Sequence, residues 1–452
     1  MARFIRTRAI ALLAIVVVTV AGPCREATAA SLIRDAEIER TIRSYAAPLF
    51  EAAGLNANDI RIYIINDDSL NAFVAGGMNL FIHTGLLLRS RNAGEVIGVI
   101  AHETGHIAGG HLARLSNQIE TGSKAALVAT ILGILTAVAT GSGGAGAAVA
   151  HGGQGLAVGT ILNFTRAQEA AADQAALRLL DATQQSADGL ASFLETIEDQ
   201  ELLTPQQQDA YARTHPITRD RIEHIRQHLA RSPNAGKPVR PEFAEMHRRM
   251  LAKLNGFIAP PATTLRRYKE DDRTLAARYA RAVAQFRLAD IDRALALVDG
   301  LIRGEPGNAY FHELKGQILF ESGRIAESVA PNREAVRLDS ESALLRIGLA
   351  RSLVESHDPA TLDDAIAHLL YATRAEPDNA FAWDQLAIAY GRDGQLGLSA
   401  LAQAEASLAR GNSKDTLSHA ARAEKRLKKG SAAWLRLEDI KRAAKDLQRE
   451  RN

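Results

Sequence analysis

A single cysteine, Cys24, stands in 452 residues, so no disulfide framework can hold this chain together. Net charge is equally scarce: 54 lysines and arginines face 52 aspartates and glutamates, a balance of +2. That supplies no broad basic field and excludes nucleic acid as a partner. Uncharged apolar runs of comfortable transmembrane length are missing too, because Ala9 to Ala21 and Ala125 to Val138 both fall short of the roughly 20 residues a bilayer needs. What remains is 46% apolar and 23% charged, the composition of a folded globular protein. The length exceeds one ordinary core, so two or three domains are expected.

The first thirty residues follow a separate logic. Arg3, Arg6 and Arg8 precede the run Ala9 to Ala21, and Ala27-Thr28-Ala29-Ala30 supplies small residues. This is the layout of a secretory signal peptide over residues 1–30, cut near Ala29 or Ala30; the alternative is an uncleaved N-terminal anchor. Cys24 lies before the cut, and Pro23 beside it is a poor fit to a lipoprotein attachment site. The expected mature chain is soluble, free of cysteine and periplasmic.

Residues 31–258 read as one domain of helices around a strand-rich patch from Ile60 to His83. There Arg61 to Ile65 and Leu80 to Ile82 are β-prone, separated by Asn66-Asp67-Asp68 and Gly76-Gly77 turn signals. Residues 259–274, with Pro260-Pro261, read as a linker. Beyond it Ala282, Gly316 and Ala350 recur every 34 residues, Pro306 and Ser340 keep the same step, and Trp383, Leu386, Ala387, Tyr390 and Gly394 follow after a three-residue slip around His357-Asp358-Pro359. Small residues where paired helices touch, at that period, predict tetratricopeptide repeats over 275–413. Such pairs bury their apolar faces only by stacking, which leaves a groove for peptides or partner proteins. Charge-rich helices over 414–452 would cap the stack. The expected fold class is mostly α: an α+β domain with a small β-sheet, then an α-solenoid.

One stretch is compositionally odd. Between Lys124 and Arg166 only His151 is titratable, and glycines break its second half. Residues 125–156 are expected to form a helical hairpin or re-entrant segment that touches lipid or covers a cleft, or else a buried structural hairpin.

The chemistry centres on His102-Glu103-Thr104-Gly105-His106, inside a window from Gly94 to Arg114 whose apolar spacing suits a buried helix. Histidines four apart lie about 40° apart around a helix, so both imidazoles reach one ion. Zinc takes imidazole nitrogens at about 2.0–2.1 Å and keeps a water position in catalytic sites. Glu103 is placed to take a proton from that water and deliver it to a leaving amine. A third ligand has two candidate locations. Locally, Gly109 fits the extended metzincin form of the motif, but position 112 is leucine; His111 is one residue early and would point away from the metal if the helix continued. Distally, Glu169 and Asp173 lie four apart on a second helix. Glu169 can complete a His-His-Glu set and Asp173 can accept from the far nitrogen of a ligand histidine. In Thr214-His215-Pro216, the proline forces an extended backbone at His215 and opens the next helix.

From about Ile33 to Phe257 the chain resembles the HtpX-like and CAAX-prenyl-endopeptidase group of gluzincin metalloproteases. The resemblance rests on HETGH with His111 trailing it, Asn71-Ala72-Phe73, Asn79 to Leu86, Arg166 with Glu169 and Asp173, and Thr214-His215-Pro216 with Arg221. Repeats behind a signal peptide are similar to a periplasmic branch of that group acting on outer-membrane β-barrel proteins. The resemblance implies a zincin-like metalloprotease fold, one Zn²⁺ per chain, and Glu169 as third ligand. It implies that His215 is catalytic, sitting near the metal either in the water's place in a self-inhibited state or beside the oxyanion in an active one, with Arg221 ordering the site. Phe73, Val74, Asn79 and Leu80 would form an edge that accepts a substrate strand. Implied partners are unfolded or misassembled outer-membrane proteins, the β-barrel assembly machinery through the repeat groove, and peripheral membrane contact. The rival expectation is a repeat-based chaperone or adaptor with a latent or blocked metal site.

Overall fold

The computed structural model describes residues 31–111, 166–198, 208–216 and 218–451. The expected signal peptide and the uncharged segment 125–156 lie outside the described residues.

The chain enters as a three-residue strand, β1 (Ser31–Ile33), and Asp35 then caps α1 (Ala36–Ala52) by accepting from the Ile38 N–H at 3.0 Å. The strand patch resolves into β2 (Arg61–Asn66), β3 (Ala72–Ala75) and β4 (Asn79–His83). Gly76 and Gly77, at φ of 57° and 93°, turn β3 back onto β4, a conformation that costs a residue with a Cβ. The sheet order is β1-β2-β4-β3, with β2 parallel to β4 and its other pairings antiparallel. This corrects part of the expected edge. Phe73 and Val74 lie on the edge strand, whereas Asn79 and Leu80 lie on β4, whose main chain bonds β2 on one side and β3 on the other.

Two short steps follow β4: α2 (Thr84–Arg89) and α3 (Ala93–Ala108). Asn92 caps α3 by accepting from the Glu95 N–H, and Val96, Ile97, Val99 and Ile100 are buried on it. Each such side chain contributes about 1.5–3 kcal/mol on leaving water, so α3 sits inside the domain, packed on α1, β3 and two later helices, α4 (Arg166–Ala182) and α5 (Asp188–Thr196). The helix is shorter than the expected window, for its last turn closes on Gly109 and Gly110. The domain is completed by α6 (Ala210–Thr214), α7 (Arg219–Leu229) and α8 (Pro241–Ile258).

A short helix, α9 (Pro261–Arg267), occupies part of the expected linker. The repeats then run as four pairs: α10 (Leu275–Arg287) with α11 (Ile291–Gly304), α12 (Ala309–Glu321) with α13 (Ile325–Leu338), α14 (Ala343–Glu355) with α15 (Leu362–Ala375), and α16 (Ala380–Arg392) with α17 (Leu396–Ala409). The three-residue slip is taken up by a 3-10 turn at Pro359–Thr361. Two helices, α18 (Ser413–Glu424) and α19 (Ala432–Arg451), end the stack. None of the described helices is long and apolar enough to cross a membrane.

Charge joins the repeats to the first domain. The residue after the second helix of successive repeats is acidic: Glu305, Asp339 and Glu376. Glu305 lies 3.7 Å from Arg249, Asp339 lines a cavity with Arg40 and Arg249, and Glu376 accepts from Arg34 at 2.8 Å. Deeper in the seam, Lys253 on α8 is 1% exposed and meets Asp35 at 2.7 Å, Glu313 at 3.3 Å and Glu37 at 3.8 Å. Tyr279 donates to Glu37 at 2.6 Å and Arg249 does so at 3.1 Å. Burial pulls the Lys253 pKa down, but Asp35 and Glu313 outweigh it and hold the ammonium well above its ordinary range.

Removing the cation from this knot strands carboxylates away from water. Lys253→Met is expected to cost about 3–5 kcal/mol, whereas Arg61→Ala, which breaks the exposed pair with Asp378, costs less than about 1 kcal/mol. Denaturant midpoints of the two variants check this, and comparable shifts would contradict it.

Candidate metal centre

Gly105 sets how closely α4 approaches α3. A Cβ there would lie 2.7 Å from the Ala172 carbonyl oxygen, so the bare position lets the backbones touch. That contact carries Glu169 and Asp173, both buried, to His102 and His106.

Asp173 Oδ1 lies 2.8 Å from His102 Nδ1. A carboxylate only accepts, so Nδ1 carries a proton and Nε2 is the nitrogen that faces inward. His102 Nε2 faces His106 Nε2 at 3.0 Å, and Glu169 oxygens approach them at 3.4 and 3.2 Å. Inward-facing nitrogen lone pairs and a carboxylate repel one another unless a cation or proton lies between them. Donor atoms from His102, His106, Glu169 and His215 all fall within 4.8 Å of one another, and two or three imidazoles with one carboxylate suit zinc. The residues present therefore fit a divalent ion.

Arg221 holds the acidic side of this cluster. Its Nε and Nη2 donate to Asp173 at 2.6 and 2.8 Å, its Nη1 donates to the Pro216 carbonyl at 2.9 Å, and the same Nη1 lies 2.7 Å from Glu169. Burial would raise both carboxylates. For Asp173, Arg221 overrides it and brings the pKa to about 2, while His215, Arg221 and His102 hold Glu169 well below the carboxylate range. His102 is pushed up to about 10, since Glu169 and Asp173 outweigh its burial; His106 falls to about 3, chiefly through burial.

Glu103, next to the first ligand, is fully buried, and neither oxygen has a hydrogen-bond partner among the described residues. Burial raises its pKa against the pull of His215 and His102, which suits a group that takes and returns a proton. His215 closes the other side of the cluster, 3.1 Å from Glu169, 3.4 Å from His102 and 3.5 Å from Glu103.

Two residues of the site were not assigned to it from the sequence. Tyr211 stacks on the His215 ring at 4.5 Å, with 23° between the planes, and its N–H donates to the Leu70 carbonyl just before β3. Its position four residues before His215 was the available signal. His111, which would point away from the metal if the helix continued, brings its Nδ1 to 2.9 Å from the outer nitrogen of His106, Nδ1, where α3 stops at Ala108. The edge strand β3 packs on α3, with Phe73 stacked on Phe81 at 4.9 Å.

Residues 33–229 match the model of Peptidase family M48. The chain is 26% identical over 390 residues to the β-barrel assembly-enhancing protease of Yersinia pestis, covering 83% of this chain and 78% of that protein. The Escherichia coli protein of the same name is 24% identical over 378 residues, 79% of this chain and 73% of that one. The metalloprotease LoiP of Escherichia coli is 28% identical over 214 residues, 46% of this chain and 77% of that protein. Among solved structures, a MamA crystal structure matches 38% of this chain and 95% of its own with 16% identity and a TM-score of 0.29. The tetratricopeptide-repeat protein YrrB matches 43% and 91% with 15% identity and the same score.

The raised His102 pKa has a consequence for metal loading. Glu169 and Asp173 favour the protonated His102, so an ion competes with that proton and binds more weakly as pH falls. Calorimetry at pH 7 in buffers of different ionisation enthalpy is expected to show about one proton released per ion bound; release of none would mean that His102 is already neutral.

Proposed function

We propose, from a chain whose residues 33–229 match the model of Peptidase family M48, that this protein is a periplasmic zinc-dependent endopeptidase acting in quality control and assembly of outer-membrane β-barrel proteins. The observation that carries the enzymatic part is the convergence of His102, His106 and Glu169 beside a buried, unpartnered Glu103. The substrate class comes from the name of the relatives in Yersinia pestis and Escherichia coli.

In this reading one Zn²⁺ per chain, held by His102, His106 and Glu169, supplies a Lewis acid for the scissile carbonyl and makes water acidic enough to attack near neutral pH. Glu103 takes the proton of the attacking water and passes it to the leaving amine. Asp173 and Arg221 keep His102 in the tautomer that binds metal. The main chain of Phe73 and Val74 on β3 receives an extended substrate, which makes cleavage tolerant of sequence. The protease domain, residues 31–258, does the chemistry, and the repeats over 275–413 choose where it acts by docking substrate or the β-barrel assembly machinery.

His215 favours a second reading. Within 3.5 Å of Glu103 and 3.4 Å of His102, it stands in space that water and substrate would need, as a fourth ligand in a restrained site. If that restraint were permanent, the chain would act as a repeat-based chaperone or adaptor.

Two variants separate these. Glu103→Gln is expected to keep its zinc and lose cleavage of an unfolded β-barrel protein by about 10²-fold or more; full activity would remove Glu103 from the mechanism. His215→Ala is expected to raise proteolysis of the same substrate if the imidazole is a gate. A zinc-loaded chain that cleaves nothing in either background, yet still rescues barrel assembly, would establish the adaptor.

A further inference from the structure

Asp173 lies against the outer nitrogen of His102. The outer nitrogen of His106 faces another imidazole, that of His111. The backbone after α3 explains how: Gly110 adopts φ of 60°, a left-handed turn that ordinary residues avoid. That turn reverses the chain and folds His111 back over the last helical turn, where the side chain is 3% exposed. Gly109 provides the slot, since a Cβ at that position would lie 2.6 Å from His111 Nε2.

We propose that His111 is a positioning residue for the metal centre, accepting a hydrogen bond at Nδ1 from His106 Nδ1–H and so holding the His106 Nε2 lone pair toward the ion. The inference rests on the metal-centre reading above. Its geometry is the 2.9 Å separation of the two Nδ1 atoms, with His106 Nε2 turned inward to His102 and Glu169. One proton can occupy that contact. If His111 supplied it, His106 Nδ1 would be the acceptor, its own proton would sit on Nε2, and the inward lone pair would be lost. Metal binding therefore selects His106 as donor and His111 as acceptor, with the second His111 proton on Nε2.

Charge explains why an imidazole does this work. Glu169 and Asp173 already bring buried negative charge beside Arg221. A carboxylate in place of His111 would add a further buried charge, which is costly unless paired. A neutral acceptor orients the ligand and leaves the balance alone.

The test reads metal binding in the full chain and needs no substrate. Zn²⁺ affinity is measured by competition with a chromophoric chelator, and Co²⁺ absorption reports ligand geometry. His111→Leu, which fills the slot without an acceptor, is expected to weaken Zn²⁺ binding about 10–100-fold and to change the Co²⁺ band. His111→Asn, whose Oδ1 can take the same hydrogen bond, is expected to stay within about threefold of the original chain. Unchanged affinity and spectrum in His111→Leu would overturn the role. So would equal losses in the leucine and asparagine variants together with lowered thermal midpoints of the metal-free chains, the pattern of lost packing. An unsubstituted chain that binds no Zn²⁺ would overturn the metal-centre reading itself, a result distinct from either.

Discussion

Two carboxylates buried one helical turn apart repel each other, and in water-free surroundings one of them would simply keep its proton. Arg221 prevents this: its guanidinium donates twice to Asp173 and lies against Glu169. Much of the site follows from that one group. Asp173 stays ionised, so it can accept from His102 and fix which nitrogen faces inward. Glu169 stays ionised, so it can serve as a ligand. The donation to the Pro216 carbonyl ties the same guanidinium to the turn that presents His215. Glu169 and the turn before α7 that carries His215 are therefore held by one side chain, and α7 must pack where Arg221 can reach α4.

The seam between the protease domain and the repeats repeats this physics with different residues. Lys253, enclosed by Asp35, Glu37 and Glu313, is worth little as net stability because desolvation offsets attraction, but it is costly to break. Such a contact specifies a geometry more than it strengthens one. The acidic residues at the ends of successive repeats extend it, since Glu305 and Glu376 pair with arginines of the first domain and Asp339 lines a cavity with two of them. The repeats are thereby joined to the first domain through several buried and exposed ion pairs.

Much of this was legible in the sequence where the signal is periodic or local. Small residues every 34 positions placed the helix pairs, and the slip at His357-Asp358-Pro359 corresponds to the 3-10 turn. Histidines four apart and carboxylates four apart announced two helix faces that the fold brings together. Sheet order was not legible: β2 pairs with β4 in parallel, leaving β3 outside, and nothing in Asn79 or Leu80 marks an interior strand. β1, at three residues, carries no periodicity to detect. Lys253 sits in a charged, amphipathic run and looks solvent-facing until the repeats cover it. The Gly109-Gly110 pair, inside the Gly94 to Arg114 window, was the available stop signal for α3.

The sheet edge and the catalytic centre also share a mechanical link. The His215 N–H is bonded to the Tyr211 carbonyl at 2.8 Å and its ring lies flat against the Tyr211 ring. The Tyr211 N–H is in turn bonded to the Leu70 carbonyl at 3.1 Å, two residues before β3 begins. Any movement that withdraws His215 from Glu103 and Glu169 must turn or carry Tyr211, which is held by its bond to Leu70. Because Tyr211 is fully buried and also packed edge-on to Phe193, it has no free space in which to absorb the motion alone. A continuous contact path therefore runs from the residue two before β3 through Tyr211 to the His215 imidazole.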